Sequence, residues 1–123
     1  IVFVFAKIIG FDLKKQLIYG DAFIVERING FDFRIYIDSF FQTNPIGINR
    51  LYQKIEEYFP ASRESLVLDL YCGAGSIGMS LARKAKFVWG VEVIESAVER
   101  ALAKAKSNKV NNISFICRDV RKF

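Results

Sequence analysis

The sequence predicts an α/β fold, in which strands and helices alternate as β-α-β-α-β after a β-hairpin region and a further helix. Three observations support this prediction. The apolar run 66–70 is followed by a glycine-rich turn and then by apolar residues at helical spacing. Two more apolar runs come later, each preceded by a stretch with helical periodicity. Short β-branched and aromatic runs dominate the first forty residues.

Residues 1–43 are predicted to be a region of β-strands with a hairpin, part of a central domain. Asn29-Gly30 is typical of a type I′ hairpin turn, whose two central residues need positive φ. After this turn, apolar and polar residues alternate over 31–37, which indicates a strand with one buried face. We therefore expect 22–28 and 31–37 to pair as a hairpin.

A helix is predicted to begin at Asn44-Pro45, since asparagine caps helices and proline suits the first helical position. Pro60 is expected to end it. The residues between them place apolar side chains at helical spacing, which predicts one apolar face. These side chains are Ile48, Leu51, Tyr52, Ile55, Tyr58 and Phe59.

Residues 44–123 are predicted to form a nucleotide-binding half-domain. Its glycine loop, Gly73-Ala74-Gly75-Ser76-Ile77-Gly78, lies between a strand and a helix, where backbone can approach a ligand closely. Further strands are predicted at 87–93 and 113–117. Right-handed crossovers then give strand order 3-2-1, as in one half of a Rossmann-like fold.

Three acidic residues mark the carboxyl ends of these strands, where ligands of such sheets bind. They are Asp69, Glu92 and Asp119. Asp69 would repel a pyrophosphate, because like charges at ~4 Å cost about 1–4 kcal/mol in wet surroundings. It favours S-adenosyl-L-methionine, which carries an ammonium and a sulfonium. The pattern G-x-G-x-x-G keeps a nicotinamide-binding oxidoreductase domain as an alternative.

Net charge, cysteine content and the length of apolar runs indicate which partners and which cellular location to expect. A net charge of +5 permits an RNA or DNA partner. A solvated basic helix face is the alternative, and we prefer it for Arg83, Lys84, Lys86, Lys104 and Lys106. Cys72 and Cys117, without a C-x-x-C pair, fit a reducing cytoplasm and indicate no metal site. No apolar run approaches the ~20 residues of a membrane span, so no membrane partner is expected.

Two motifs resemble those of the S-adenosylmethionine-dependent RNA (uracil-5-)-methyltransferases, which act on tRNA or 23S rRNA. Ser39-Phe40-Phe41-Gln42-Thr43-Asn44 is similar to the family's aromatic-x-Gln-x-Asn element. Asp69-Leu70-Tyr71-Cys72-Gly73-Ala74-Gly75 is similar to its cofactor loop. The pair is more specific than either motif alone, and the resemblance covers roughly 18–123. It implies a truncated S-adenosylmethionine methyltransferase half-domain.

The resemblance also implies roles for individual side chains. Gln42 would contact the cofactor, although its position alone favours a turn-capping role. Tyr71 and Ser76 would line the loop around the methionine part, Glu92 would hold the ribose hydroxyls and Asp119 would lie at the adenine. The expected cofactor-binding residues are therefore Gln42, Asp69, Tyr71, Gly73, Gly75, Ser76, Glu92 and Asp119.

In this family a cysteine thiolate adds to C6 of uracil, and a carboxylate later removes the C5 proton. The resemblance places both groups beyond Phe123, so we expect a fragment that is inactive alone, with RNA as partner of the whole protein. Cys72 belongs to the loop and Cys117 to a predicted buried strand, so neither is expected to be the nucleophile. Another methyltransferase with a different substrate and a non-catalytic binding module remain alternatives. An exposed edge at 66–71 predicts self-association.

Overall fold

The computed structural model describes residues 10–11, 17–36 and 44–122. Its strands are β1 (Gly10–Phe11), β2 (Leu17–Tyr19), β3 (Phe23–Ile28), β4 (Phe31–Tyr36), β5 (Leu66–Leu70), β6 (Phe87–Glu92) and β7 (Ile113–Cys117). Its helices are α1 (Pro45–Tyr58), α2 (Ser76–Ala82) and α3 (Glu95–Ser107), followed by a 3-10 turn, Val120–Lys122. Gln42 lies outside the described residues. The domain division after residue 43 stays a prediction.

The parallel sheet has the predicted order. β5 pairs with β6, β6 pairs with β7, and both pairings are parallel. Leu70 lies opposite Val91, and Glu92 lies opposite Cys117, so the carboxyl ends of the three strands meet at one edge. The predicted β-α-β-α-β unit with strand order 3-2-1 is therefore confirmed.

The predicted hairpin is also confirmed. β3 and β4 are antiparallel, with Phe23 opposite Tyr36 and Ile28 opposite Phe31. Asn29 and Gly30 both have positive φ, at 49° and 81°, as a type I′ turn requires. The alternating pattern places Phe31 and Phe33 of β4 in the core and Asp32 and Arg34 in solvent.

The turn of this hairpin is bound to two helices. Asn29 Nδ2 donates to Glu56 Oε1 at 2.6 Å and to Ser80 Oγ at 3.1 Å. Its backbone N–H donates to Asn49 Oδ1 at 2.6 Å, and Arg83 donates to its carbonyl oxygen. These contacts join the hairpin to the sheet domain. Both contribute to one hydrophobic core, which includes Ile28, Phe31, Phe33, Ile48, Tyr52, Val67, Met79, Val88, Ala101 and Phe115.

Helix α1 begins as predicted but buries less of its apolar face. Asn44 Oδ1 accepts from the Gly47 N–H at 2.9 Å, which confirms the cap. Ile48 and Tyr52 are buried, whereas Leu51 and Tyr58 are exposed. The predicted apolar face of α1 is therefore buried only in part. Within the described part of the chain, α1 packs mainly on α2 and β3, and these cover only a narrow stripe of the helix.

Strand β5 forms an edge of the sheet among the described residues, since it pairs with β6 alone. On one face of this strand, Leu66, Leu68 and Leu70 are 71%, 46% and 42% exposed. On the other face, Val67 is buried. The exposed edge and its apolar residues thus match the prediction for 66–71.

Within the described ranges, no helix is long and apolar enough to cross a membrane.

Candidate cofactor site

Asp69 holds the start of helix α2. Its Oδ2 accepts from the backbone N–H of Gly78, the third residue of the helix, at 2.9 Å. Burial raises the pKa of the Asp69 carboxyl, and the Gly78 hydrogen bond partly offsets that rise. A side-chain carboxylate therefore binds an amide that a dinucleotide site would offer to phosphate. This arrangement opposes a bound pyrophosphate.

Glu92 holds the other end of the glycine loop. The residue is 9% exposed. Its Oε1 accepts from the N–H groups of Val93 and Ile94 at 2.8 and 3.1 Å, and its Oε2 accepts from the Gly73 N–H at 3.0 Å. A carboxylate oxygen has two lone pairs, so Oε2 keeps one acceptor position for a ligand hydroxyl. Glu92 thus links the end of β6 to the loop and still has a free hydrogen-bond acceptor position.

The three glycine positions of the loop differ in what an added side chain would contact. Gly75 has φ 73°, and a Cβ there would lie 2.5 Å from the Phe115 ring. A Cβ on Gly78 would lie 3.0 Å from Asp69 Oδ2. At Gly73, with φ 51°, an added Cβ would meet no atom within 4 Å among the described residues. Gly75 and Gly78 therefore allow internal packing, and only Gly73 leaves open space for a ligand.

The two cysteines lie in different environments, and that of Cys72 disfavours a thiolate. Burial, with the charges of Asp69 and Glu92, raises the pKa of the Cys72 thiol to about 12. Cys117 is exposed at the end of β7, and its Sγ donates to the Val93 carbonyl at 3.5 Å. Placing Cys117 inside a buried strand was therefore wrong, because the strand ends at an edge that the described residues leave open.

Ser76 has a partner that the sequence did not indicate. Its Oγ shares a hydrogen bond with the hydroxyl of Tyr52 from α1. Burial raises the pKa of Tyr52, and the negative charge of Asp69 adds to this rise. The periodicity of α1 assigned Tyr52 only to an apolar face. The missed signal is chemical, since a buried tyrosine hydroxyl usually needs a hydrogen-bond partner.

Tyr71 and Asp119 lie at the same edge of the sheet but outside the loop's hydrogen-bond network. Tyr71 directly follows β5, has φ 59° and is exposed. Asp119 follows β7 and accepts from Arg121, with Oδ2 2.7 Å from Nη2 and Oδ1 3.0 Å from Nε. The hydrogen bonds from Arg121 lower the pKa of Asp119. Within the described ranges, no group of three or more His, Cys, Asp and Glu residues is placed to hold a metal ion.

Fold and site together define a Rossmann-like domain with a glycine loop held by two carboxylates. Residues 4–122 match the family described as tRNA (uracil-5-)-methyltransferase. The chain belongs to this family, as its two motifs predict.

Similar proteins support the family assignment, and a more distant one supports the fold. An uncharacterized RNA methyltransferase of Clostridium tetani is 44% identical over 87% of this chain and 24% of its own length. The structure of Pyrococcus abyssi tRNA (uracil-54, C5)-methyltransferase with S-adenosyl-L-homocysteine is 32% identical, with TM-score 0.74, over 85% of this chain and 26% of that one. M. jannaschii TYW2 with AdoMet, 22% identical with TM-score 0.74 over 95% and 53%, supports the fold alone. The chain thus spans about a quarter of the length of its curated relatives.

Proposed function

We propose that this chain forms the part of an RNA (uracil-5-)-methyltransferase that binds S-adenosyl-L-methionine. The observation that carries the proposal is the pair of carboxylates on the glycine loop. Asp69 accepts from Gly78 and Glu92 accepts from Gly73, so negative charge lies at both ends of the loop. This charge suits a cationic methyl donor and opposes a pyrophosphate.

The proposed ligand contacts use the free acceptor position of Glu92 and the open space beside Gly73. Glu92 Oε2 can accept a ribose hydroxyl in addition to the Gly73 N–H. The open side of Gly73 can receive the ligand, while the Tyr52 hydroxyl fixes the orientation of Ser76. Roles for Gln42, Tyr71, Gly75 and Asp119 derive from the family resemblance and remain part of the proposal.

The whole protein is proposed to transfer a methyl group to C5 of a uridine in tRNA or rRNA. When bound, the cofactor supplies that methyl group. Family membership supports this reaction. Cys72 is not the proposed nucleophile, because burial raises the pKa of its thiol to about 12 and disfavours the thiolate. We place the nucleophilic cysteine and the base in sequence beyond Phe123, and we expect this chain alone to be inactive.

A thermal-shift experiment tests the proposed cofactor. A ligand that binds only the folded state stabilises it by about 2.7 kcal/mol at a hundred times its dissociation constant. Saturating S-adenosyl-L-methionine or S-adenosyl-L-homocysteine should therefore raise Tm, and NAD at equal concentration should leave it unchanged. A rise with NAD alone would favour the oxidoreductase alternative, and no rise with any of the three would favour a module without this cofactor.

Two further proposals concern association and location. The apolar edge of β5, with Leu66 and Leu68 exposed, is proposed to pair with a second copy of this chain. A cytoplasmic location is proposed because RNA is the expected substrate and Cys72 and Cys117 are free thiols.

A further inference from the structure

The helical side of the domain has a cavity of about 560 Å³ lined by basic residues. It lies between the hairpin and the C-terminal ends of α2 and α3. Four cations line it, namely Arg63, Arg83, Lys86 and Lys109, and none of its described lining residues is acidic. Arg83 lies over the Phe31 ring, with its guanidinium carbon 4.2 Å from the ring centre. Positive charge is therefore concentrated in this cavity without a compensating carboxylate.

A second cavity of about 380 Å³ lies beside the first, between β4 and α3. Arg34, Arg100 and Lys104 line it together with the aromatic ring of Tyr36. Its one acidic lining residue, Asp32, forms an ion pair with Arg27 at 3.8 Å. Asn108 lines both cavities, so the two cavities adjoin at this residue.

Lys104 is the most unusual residue of this surface. It is 8% exposed, and its Nζ lies 5.5 Å from the centre of the Phe33 ring. Among the described residues, no carboxylate lies within ion-pair distance of it. Burial, with the nearby charge of Arg100, lowers the pKa of Lys104 to about 8. Preferring a solvated basic face was therefore wrong for Lys104, and an anion in the cavity would favour its charged form.

The positions of these cations are only partly explained by the helices. Cations near helix C-termini interact favourably with the helix dipole, and Lys104 and Lys106 lie in the last turn of α3. That effect needs no buried lysine, and it does not account for Arg63 before β5. Arg34 on β4 lies over the Phe23 ring, with its guanidinium carbon 4.7 Å from the ring centre. A ligand that binds across both cavities accounts for the buried Lys104 and for the cluster of Arg63, Lys86 and Lys109.

We infer that this surface, which joins the two cavities through Asn108, binds the phosphate backbone of the RNA substrate. The inference rests on the proposed function and extends it to a second contact region. Successive phosphates can occupy both cavities, whereas one small anion fills only one. Tyr36 adds an aromatic ring to the second cavity, and this ring already packs against Phe23 and the Arg100 guanidinium, at 5.6 Å from each.

The location of the surface fits a positioning role. Helices α2 and α3 return from the carboxyl edge of the sheet, so their C-terminal ends lie at its amino edge. A strand of five or six residues is about 17–20 Å long, so the first cavity, at the amino edge, lies roughly one strand length from the glycine loop. Backbone contacts at that distance would orient the RNA without reading its sequence.

The first test measures RNA affinity by fluorescence anisotropy with a uridine-containing RNA hairpin. The double variant Lys86→Gln/Lys109→Gln removes two exposed cations of the first cavity. The matched control, Arg50→Gln/Lys106→Gln, removes two exposed cations that line neither cavity. We expect the first pair to weaken binding about tenfold and to reduce the slope of log K against log salt by about two, because each lost phosphate contact reduces it by about one.

The second test uses Lys104→Met, which keeps an apolar stem against Phe33 and removes the buried charge. RNA affinity should fall by about threefold, as for one lost phosphate contact, since the two contacts of the double variant account for about tenfold. Tm should stay equal or rise, because an uncompensated buried charge is removed. A structural role for Lys104 predicts the opposite result, with lower Tm and unchanged RNA affinity.

The outcomes separate this surface from the proposed function. Equal loss of affinity in both double variants would show an effect of net charge alone and would overturn the inference. Binding to phosphatidylserine vesicles without binding to RNA would overturn it too. Calorimetry with S-adenosyl-L-methionine on each variant supplies the second readout. If no variant and no parent chain binds the methyl donor, the proposed function fails, while a specific loss of RNA affinity would still support the surface.

Discussion

At the residue scale, the loop carboxylates act on the backbone as well as on a ligand. Asp69 caps the start of α2 through Gly78, and Glu92 binds three backbone N–H groups, one of them from Gly73. A substitution at either position can therefore change both stability and affinity. The two effects have to be measured separately.

We predict that Asp69→Asn weakens the binding of S-adenosyl-L-methionine by roughly tenfold or more. A hydrogen bond or contact to a charged group is worth about 1.5–3 kcal/mol, and the amide oxygen of asparagine can still accept from the Gly78 N–H. Isothermal titration calorimetry measures the change. Glu99→Gln, at an exposed acid on α3, is the control. Equal affinities for all three proteins would contradict the role of Asp69.

The raised pKa of Asp69 predicts how stability depends on pH. The folded chain favours the protonated carboxyl, so this contribution to stability is complete below the ordinary pKa of about 3.9. It is lost as pH rises through the higher folded pKa. Urea unfolding at several pH values should show the Asp69→Asn variant gaining stability relative to the parent over that window. A relative loss would mean that the pKa of Asp69 is lowered instead.

Glu92→Gln should lower both stability and cofactor affinity. The amide nitrogen of glutamine cannot accept a hydrogen bond, so at least one of the N–H groups of Gly73, Val93 and Ile94 loses its acceptor. An unsatisfied buried donor costs about 1–3 kcal/mol. Chemical denaturation measures the first effect, and calorimetry measures the second. Unchanged stability with lower affinity would mean that Glu92 acts on the ligand alone.

At the scale of elements, the glycine loop allows a matched comparison. Gly75→Ala adds backbone strain at φ 73° and places a Cβ 2.5 Å from Phe115, whereas Gly73→Ala adds strain at φ 51° without a clash. We expect Gly73→Ala to cost about 1–2 kcal/mol and Gly75→Ala about 1–3 kcal/mol more. Thermal unfolding of both variants measures the difference. Equal losses would show that Phe115 moves aside freely.

The elements themselves could be predicted because their signals are local. Asn29-Gly30 encodes its turn, Asn44-Pro45 encodes a helix start, and apolar runs of five or six residues encode the strands. Contacts between elements carry no such signal. The Tyr52–Ser76 hydrogen bond joins two helices, and nothing in the periodicity of either helix reports it.

The burial of individual side chains could not be predicted either, because it too depends on contacts between elements. Lys104 lies in the last turn of α3, where cations are common, and only the packing of β4 against that helix covers it. Cys117 lies in an apolar run, and its exposure depends on the packing of other segments against the end of β7. The residue types of Asp69 and Glu92 were informative, but their bonds to the loop depend on how the chain returns over the sheet.

At the scale of the whole molecule, the exposed leucines of β5 predict association. We expect sedimentation velocity to show a mass that rises with concentration, because an apolar strand edge favours pairing. Leu66→Lys should reduce this association. Leu102→Lys, at an exposed leucine of α3 away from the sheet edge, should not. A monomer at every concentration would contradict the prediction.

The preference of the loop for a cationic methyl donor is tested most directly by paired calorimetric titrations of the 123-residue chain. One titration uses S-adenosyl-L-methionine and the other uses NAD. We predict saturable binding of the methyl donor at one site and no heat of binding with NAD. Binding of NAD, with its pyrophosphate on the glycine loop and no response to the methyl donor, would contradict the proposed site.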